Sequence, residues 1–181
     1  PCTVDIPQII VSDTYDALTK MGAYARQQFS GTVIGITGSV GKTSVKDTLH
    51  AVLSKFGKTQ STKGNLNNHL GVPLTLLSLD KNTEYAVIEM GMSAGGEIRH
   101  LSHLAKPHIA VITAVDVAHI ENFDDVSGIA RAKSEIFEGL VEDKIAIYNA
   151  SGKHPEILDT LSHQYADIVY TYAQNNIVSM A

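Results

Sequence analysis

The sequence predicts an α/β fold, a mostly parallel sheet with helices on both faces. Three observations carry that prediction. Apolar runs rich in β-branched residues recur at 32–37, 85–90, 109–113 and 144–149. Segments with apolar residues at helical spacing lie between them. Several of the runs are continuously apolar rather than alternating, which suits strands buried on both sides.

Taken in order, Ile9 to Val11 is a short apolar run. Ser12-Asp13-Thr14 offers N-cap chemistry for a helix over 13–29, in which Leu18, Met21, Tyr24 and Ala25 recur at helical spacing. Residues 32–37 read as a buried strand. The next helix spans 42–56, with Val45, Leu49, Val52, Leu53 and Phe56 on one face and Gly57 as its stop. Lys63 to His69 is a polar, turn-rich loop. Val72 to Leu79 is apolar, and Pro73 suits the first turn of a helix. The second strand, 85–90, closes on a carboxylate, Glu89. A loop over 91–96 leads into a short helix near 96–105, and the third strand is 109–113. A helix over 126–140, a strand over 144–149, a helix near 155–164 and a strand near 167–172 complete the pattern. Asn175 to Ala181 shows no clear terminal element.

The first strand empties into the most informative stretch, Gly35-Ile36-Thr37-Gly38-Ser39-Val40-Gly41-Lys42-Thr43-Ser44. A strand, a Gly-rich loop ending in Gly-Lys-Thr and a following helix together make a phosphate-binding P-loop. Glycines let backbone N–H groups close on an anionic oxygen, and the next helix points its positive end at the same place. Lys42 supplies a full positive charge, and the Thr43 hydroxyl suits Mg²⁺. The spacing is G-x-x-G-x-x-G-K-T rather than the standard pattern, because Ile36 stands where a glycine would be expected.

With 181 residues the chain suffices for one domain with a sizeable core. Its net charge of −5 comes with no cluster of Lys or Arg, which argues against a general nucleic-acid binder. Nucleotides stay open, since a P-loop holds phosphate mainly through backbone amides. The single cysteine, Cys2, rules out an internal disulfide framework and fits a reducing compartment. No stretch has the length of a membrane-spanning helix, and no signal pattern opens the chain, so a cytoplasmic protein without membrane insertion is expected. The ends, Pro1 and Ala181, read as those of a piece of something longer.

Ligands of parallel sheets sit outside the carboxyl ends of the strands. Glu89 closes the second strand there, His119 follows the third, Lys133 lies in the helix after it, and Asn65 sits in the loop before the second strand. Each alone has an ordinary structural reading: a solvated strand end, a surface imidazole, an exposed helix charge, a turn residue. With a P-loop on the same sheet, Glu89 and His119 become candidates for a Mg²⁺ site.

These residues resemble a known family. Thr37 to Ser44, Gly64-Asn65-Leu66-Asn67-Asn68, Gly71-Val72-Pro73, Ala86 to Gly91, Gly96-Glu97-Ile98, and His119 followed by Ala130 to Phe137 are similar to the central ATP-binding domain of the Mur ligases. The resemblance runs from about Val11 to about Asn149. The Asn-Leu-Asn-Asn loop and the Lys-x-Glu-Ile-Phe helix look most like the members that add D-alanyl-D-alanine to a UDP-N-acetylmuramoyl-tripeptide. It implies a reaction in which ATP phosphorylates the peptide carboxylate, the amine attacks the acyl phosphate, and an amide, ADP and phosphate result. It implies that Gly38, Ser39, Val40, Gly41, Lys42, Thr43 and Ser44 cradle the phosphates, with Asn65 near the γ-phosphate. Thr43 and Glu89 would hold one Mg²⁺, and His119 a second. Lys133 would be carried as a carbamate that supports the second metal. Lys42, Glu89, His119 and Lys133 would then form the catalytic group. By the same resemblance, residues 1–30 are expected as a linker and helix from the end of a preceding domain. Residues 31–181 are expected as the ATP-binding domain, truncated at its C-terminal end, so that ligation by this piece alone is not expected.

Two other readings stay open on the sequence. One is a related ligase on the same scaffold, of the folylpolyglutamate or cyanophycin synthetase type. The other is a P-loop regulatory module, in which Glu89, His119 and Lys133 would not matter together.

Overall fold

A computed structural model describes residues 6–117, 122, 123 and 125–172, together with the backbone of 173 and 176–180. Among the described residues, seven strands form one sheet: β1 (Thr32–Thr37), β2 (Thr59–Ser61), β3 (Tyr85–Glu89), β4 (Ile109–Ile112), β5 (Ile145–Asn149), β6 (Ile168–Ala173) and β7 (Asn176–Met180). Their spatial order is β2-β3-β1-β4-β5-β6-β7. Every pairing is parallel except β6 with β7. The chain leaves β1 toward β3 and β2, then crosses to β4 on the other side. This puts a topological switch point at the carboxyl end of β1, where open α/β sheets bind ligands.

The described residues place six α-helices around the sheet: α1 (Thr14–Gln28), α2 (Lys42–Leu53), α3 (Gly71–Leu77), α4 (Glu97–Ala105), α5 (Val126–Ser134) and α6 (Pro155–Tyr165). The alternation of a pleated strand decides which helix meets which residue. Ile34 and Ile36 of β1, with Val87 and Val111, face Val45, Leu49 and Leu53 of α2. Val33, Ala86, Ile88, Ala110 and Ile112 point to the other side, where Val72 and Leu76 of α3, Ile98 and Leu101 of α4 and Ile129 of α5 complete the larger core. The sheet is therefore covered on both faces, but unevenly.

Four expectations need correction. The stretch 59–61 forms β2, an edge strand that the sequence did not reveal, because Thr59-Gln60-Ser61 is polar and an edge needs no continuous apolar run. The last segment is not without structure: it folds back as β7. α2 stops at Leu53, and Val52 and Phe56 are exposed, Phe56 at 74%. The helix read over 126–140 is α5 plus a 3-10 turn, Glu135–Gly139. Contacts made by α4 account for that change: Ser102 Oγ donates to Ile136 O at 2.6 Å, and Gly139 lies against Ser102 with no room for a Cβ.

α1 also turns a different face inward. Met21 and Tyr24 are exposed, and the buried stripe is Gly22 and Arg26 with Phe29 beyond the helix end. Gly22 is what lets α1 approach α3, since a Cβ there would sit 2.9 Å from Pro73 Cα. Arg26 is buried because the carbonyls at the C-terminal end of α4 need donors. Its guanidinium donates to Ala105 O at 2.6 Å, Lys106 O at 2.7 Å and Phe29 O at 3.1 Å. Arg26→Met keeps the apolar stem and strips all three bonds. It should cost about 2–4 kcal/mol, since buried carbonyls are left unpaired. Urea unfolding is the measurement, and a loss well under 1 kcal/mol would show that water replaces the guanidinium.

Candidate active site

Register brings the ends of three strands together. Ile36 of β1 pairs with Glu89 of β3, and Thr37 with Ile112 of β4. The loop 38–41 leaves β1 between them. Its glycines have distinct reasons. A Cβ on Gly38 would collide with Thr113 Oγ1, and Gly41, at φ +84°, turns the chain into α2. The loop is pinned from β4: Ser39 N donates to Ala114 O at 2.8 Å, and Thr113 Oγ1 donates to Val40 O at 2.6 Å. Ser39 Oγ donates to Asp116 O at 2.8 Å and accepts from Asp116 N at 2.9 Å. Tyr172 of β6 braces the same point through its hydroxyl, which donates to Thr113 O at 2.7 Å.

Lys42 is the first residue of α2, and its Nζ donates to Gly38 O at 2.7 Å, folded over the loop. Burial lowers its pKa, and the nearby Glu89 opposes that shift. Thr43 Oγ1 donates to Glu89 Oε2 at 3.0 Å. Ser44 follows one residue further along the first turn of α2. Glu89 is 2% exposed, and its other oxygen accepts from Asn67 Nδ2 at 2.8 Å. Its backbone N–H is held by Thr62 Oγ1 at 2.9 Å. Lys46, 4% exposed, places Nζ 3.9 Å from Glu89 Oε2.

Gly38, Ser39, Lys42, Asn67, Asn68, Gly91, Met92, Ser93, Glu97 and Lys133 line one pocket of about 300 Å³. Lys133 is 3% exposed and has no hydrogen bond or ion pair among the described residues. Burial, and then the charge of Lys42, pull its pKa down to about 7. An amine so placed is neutral in about half of the molecules at pH 7, unlike an ordinary lysine.

Of the residues singled out in the sequence, Gly38, Ser39, Lys42 and Lys133 line this pocket, and Val40, Gly41, Thr43, Ser44 and Glu89 flank it. Asn65 does not line it; its carbonyl accepts from Asn67 N at 2.7 Å. His119 lies outside the described residues. Sequence reasoning missed Lys46, Asn67 and Thr113. Lys46 lies one helical turn from Lys42, and Asn67 stands inside the Asn-Leu-Asn-Asn loop, so both carried a signal. Thr113 looked only like the end of a strand.

The donor set fits Mg²⁺. No group of three or more His, Cys, Asp or Glu side chains able to hold a metal occurs among the described residues. Mg²⁺ at a nucleotide, however, takes only one or two carboxylates and fills its shell with phosphate oxygens and water. Glu89 and Thr43 offer one carboxylate and one hydroxyl beside the phosphate loop.

Lys46→Met would leave the Glu89 carboxylate buried without its cation. That should cost about 3 kcal/mol. The double variant Lys46→Met/Glu89→Gln should recover part of it in a urea double-mutant cycle. Strict additivity would show that Lys46 and Glu89 do not interact.

The fold and this loop define a P-loop α/β domain of the kind that holds nucleotide phosphates. Comparison with known proteins makes the class more specific. Residues 36–180 match the Mur ligase middle domain, and the chain belongs to that family. It is 48% identical over 150 residues to the UDP-N-acetylmuramoyl-tripeptide–D-alanyl-D-alanine ligase of Escherichia coli K12, covering 83% of this chain and 33% of that protein. The Bacillus subtilis 168 protein of the same name is 50% identical over 140 residues, 77% of this chain and 31% of its own length. The chain thus spans about a third of these relatives.

Solved structures agree. MurF from Acinetobacter baumannii superposes with a TM-score of 0.89 at 38% identity, over 97% of this chain and 38% of that one. The UDP-N-acetylmuramoylalanyl-D-glutamyl-2,6-diaminopimelate–D-alanyl-D-alanyl ligase of the same organism gives 0.84 at 34%, over 100% and 45%. MurF from Thermotoga maritima in complex with ADP gives 0.84 at 33%, over 97% and 40%.

Proposed function

We propose that this chain is the ATP-binding part of a ligase that joins D-alanyl-D-alanine to a UDP-N-acetylmuramoyl-tripeptide through an acyl phosphate, in the cytoplasm. Residues 31–181 would be that part and 1–30 the approach to it. The observation that carries the reading is one pocket lined by the P-loop, by Asn67, which holds Glu89, and by a buried Lys133 with no partner among the described residues and a lowered pKa. A regulatory nucleotide module has no evident use for the last of these.

The residues divide the work. Backbone N–H groups of the loop from Gly38 to Ser44 donate to the phosphate oxygens of ATP. Lys42 Nζ leaves Gly38 O and lies along the β- and γ-phosphates, where charge moves during phosphoryl transfer. Asn67 and Thr62 fix Glu89, and Thr43 and Glu89 would hold a Mg²⁺ that neutralises charge between the β- and γ-phosphates. The neutral Lys133 amine can attack CO₂. An N–C bond forms as one C–O π bond of CO₂ opens, one proton passes from the nitrogen to water, and the neutral amine becomes the anionic carbamate that a second metal ligand set with His119 would need. Asn65 would act from the edge of the γ-phosphate site.

The test is a chimera. This segment replaces its counterpart in the E. coli relative, and ATP-dependent phosphate release is measured. Release that requires both UDP-N-acetylmuramoyl-tripeptide and D-alanyl-D-alanine is expected. A folded chimera that binds ATP and does not ligate would overturn the reading.

A further inference from the structure

The loop 38–41 carries carbonyl groups as well as amides, and only the amides suit a phosphate. A trans peptide points its C=O and its N–H in opposite directions. A half-turn of one peptide plane exchanges a donor for an acceptor, and attraction to an anion becomes repulsion. The plane between Val40 and Gly41 is the one most open to this. Its rotation changes ψ of Val40 and φ of Gly41, and Gly41, at φ +84°, has no Cβ to bar either state. Gly41 N has no hydrogen-bond partner among the described residues, so nothing at the amide end holds the plane. The carbonyl end is held. Thr113 Oγ1 donates to Val40 O at 2.6 Å, with Thr37 O a longer alternative at 3.3 Å. Thr113 is 6% exposed, and its backbone is fixed from two strands. Its N–H donates to Thr37 O of β1 at 2.9 Å, and its C=O accepts from Tyr172 Oη of β6 at 2.7 Å. Gly38 leaves the hydroxyl its space.

We infer that Thr113 is a positioning residue for the nucleotide: its hydroxyl locks the Val40–Gly41 peptide with the carbonyl turned toward Thr113 and the Gly41 N–H turned the opposite way, toward the phosphates. The inference rests on the reading of this loop as a phosphate site. Thr113 does not line the phosphate pocket, so it acts through the loop rather than on the ligand. The preceding Gly38–Ser39 plane shows why a lock is needed. It is held at both ends, because Gly38 O accepts from Lys42 Nζ at 2.7 Å and Ser39 N donates to Ala114 O at 2.8 Å. When Lys42 moves to the phosphates, Ala114 still holds that plane. The Val40–Gly41 plane has Thr113 alone among the described residues. Tyr172 takes part at one remove, since its bond to Thr113 O aims the backbone from which the hydroxyl projects. Without the lock, the reversed plane becomes populated, and apparent affinity falls with the fraction of competent loop.

The experiment titrates this chain, labelled with ¹⁵N-glycine, with ADP–Mg²⁺. Thr113→Val keeps the shape of the side chain and removes the proton that Val40 O accepts. It should bind about tenfold more weakly, the weight of one hydrogen bond on the rotation of the plane. Thr113→Ser keeps the proton and should bind close to the wild type. Tyr172→Phe should fall between them. A role in folding alone would not single out one amide, so the Gly41 resonance is the second readout. In the wild type and in Thr113→Ser its proton should move downfield as ADP–Mg²⁺ saturates the site; in Thr113→Val it should move much less. Equal affinity of the wild type and Thr113→Val, or a loss that Thr113→Ser does not recover, would overturn the inference. So would a wild-type Gly41 amide that ignores bound ADP, which decides the matter even where Thr113→Val does not fold. A wild type that takes up no ADP removes the phosphate-site reading and the lock with it. Binding that is indifferent to Thr113 removes the lock alone.

Discussion

Lys42→Ala should abolish ATP–Mg²⁺ binding to the chain and lower ligation in the chimera by at least a hundredfold. Its Nζ is the cation of the loop, and its bond to Gly38 O at 2.7 Å is one that phosphate oxygens can take over. Removal of one preorganised donor from a site of developing charge costs about 10²–10³ in rate. The fold should hardly notice. Lys42 is half-buried at a helix start, its hydrogen bond goes to Gly38 O on the wall of the pocket, and the loop is held by Thr113 and Ala114 instead. Calorimetric titration beside a thermal melt distinguishes the outcomes. Unchanged ATP affinity in a well-folded variant would remove the P-loop assignment.

The second large effect concerns Lys133. Lys133→Ala should lose ligation and recover part of it with added short-chain carboxylates, which stand in for the carbamate. No recovery across a concentration series would count against the carbamate. The wild-type residue predicts a pH dependence as well. Its folded-state pKa is about 7, against about 10.4 for a lysine in an unfolded chain. Between those values the unfolded chain carries the extra proton, so stability rises with pH across that window and is flat below it. The free amine, and with it carbamate formation from ¹³C-bicarbonate, should rise as pH passes from 6 to 8. Lys133→Met should flatten the stability slope and, below pH 7, raise stability by about 1 kcal/mol or more, because no buried cation is left. A residue that weakens the fold and is needed for the reaction is the expected signature of a functional site.

Much of this fold and site is legible in the sequence. The strands at 32–37, 85–90 and 109–113 announce themselves because central strands buried on both faces are apolar throughout. The P-loop is readable because its chemistry is local, in consecutive residues. What failed has a common physical origin. β2 is short, polar and at the edge, so burial leaves no mark on its sequence. The inward face of α1 is set by Gly22 meeting Pro73 and Arg26 reaching the end of α4, which are long-range partnerships that helical spacing does not contain. Met21 and Tyr24 follow the right period on the wrong side. The site behaves likewise. Lys42 and Glu89 were found from motif and strand end, whereas Lys46 and Thr113 matter through contacts with residues 43 and 73 positions away.

Glu135 ties the site together in a way that bears on motion. Its carboxylate, two residues after Lys133, accepts from Gly96 N at 2.8 and 3.0 Å and from Arg99 N at 3.0 Å, capping α4 from outside. A carboxylate at a helix N-terminus is a stable latch. The segment that carries the reactive amine and the start of α4, whose Glu97 lines the phosphate pocket, are thereby coupled, so a shift of one transmits to the other. The amides of Gly96 and Arg99 can exchange with deuterated solvent only when the latch opens. Their exchange rates are thus a built-in gauge of how often Lys133 leaves its place.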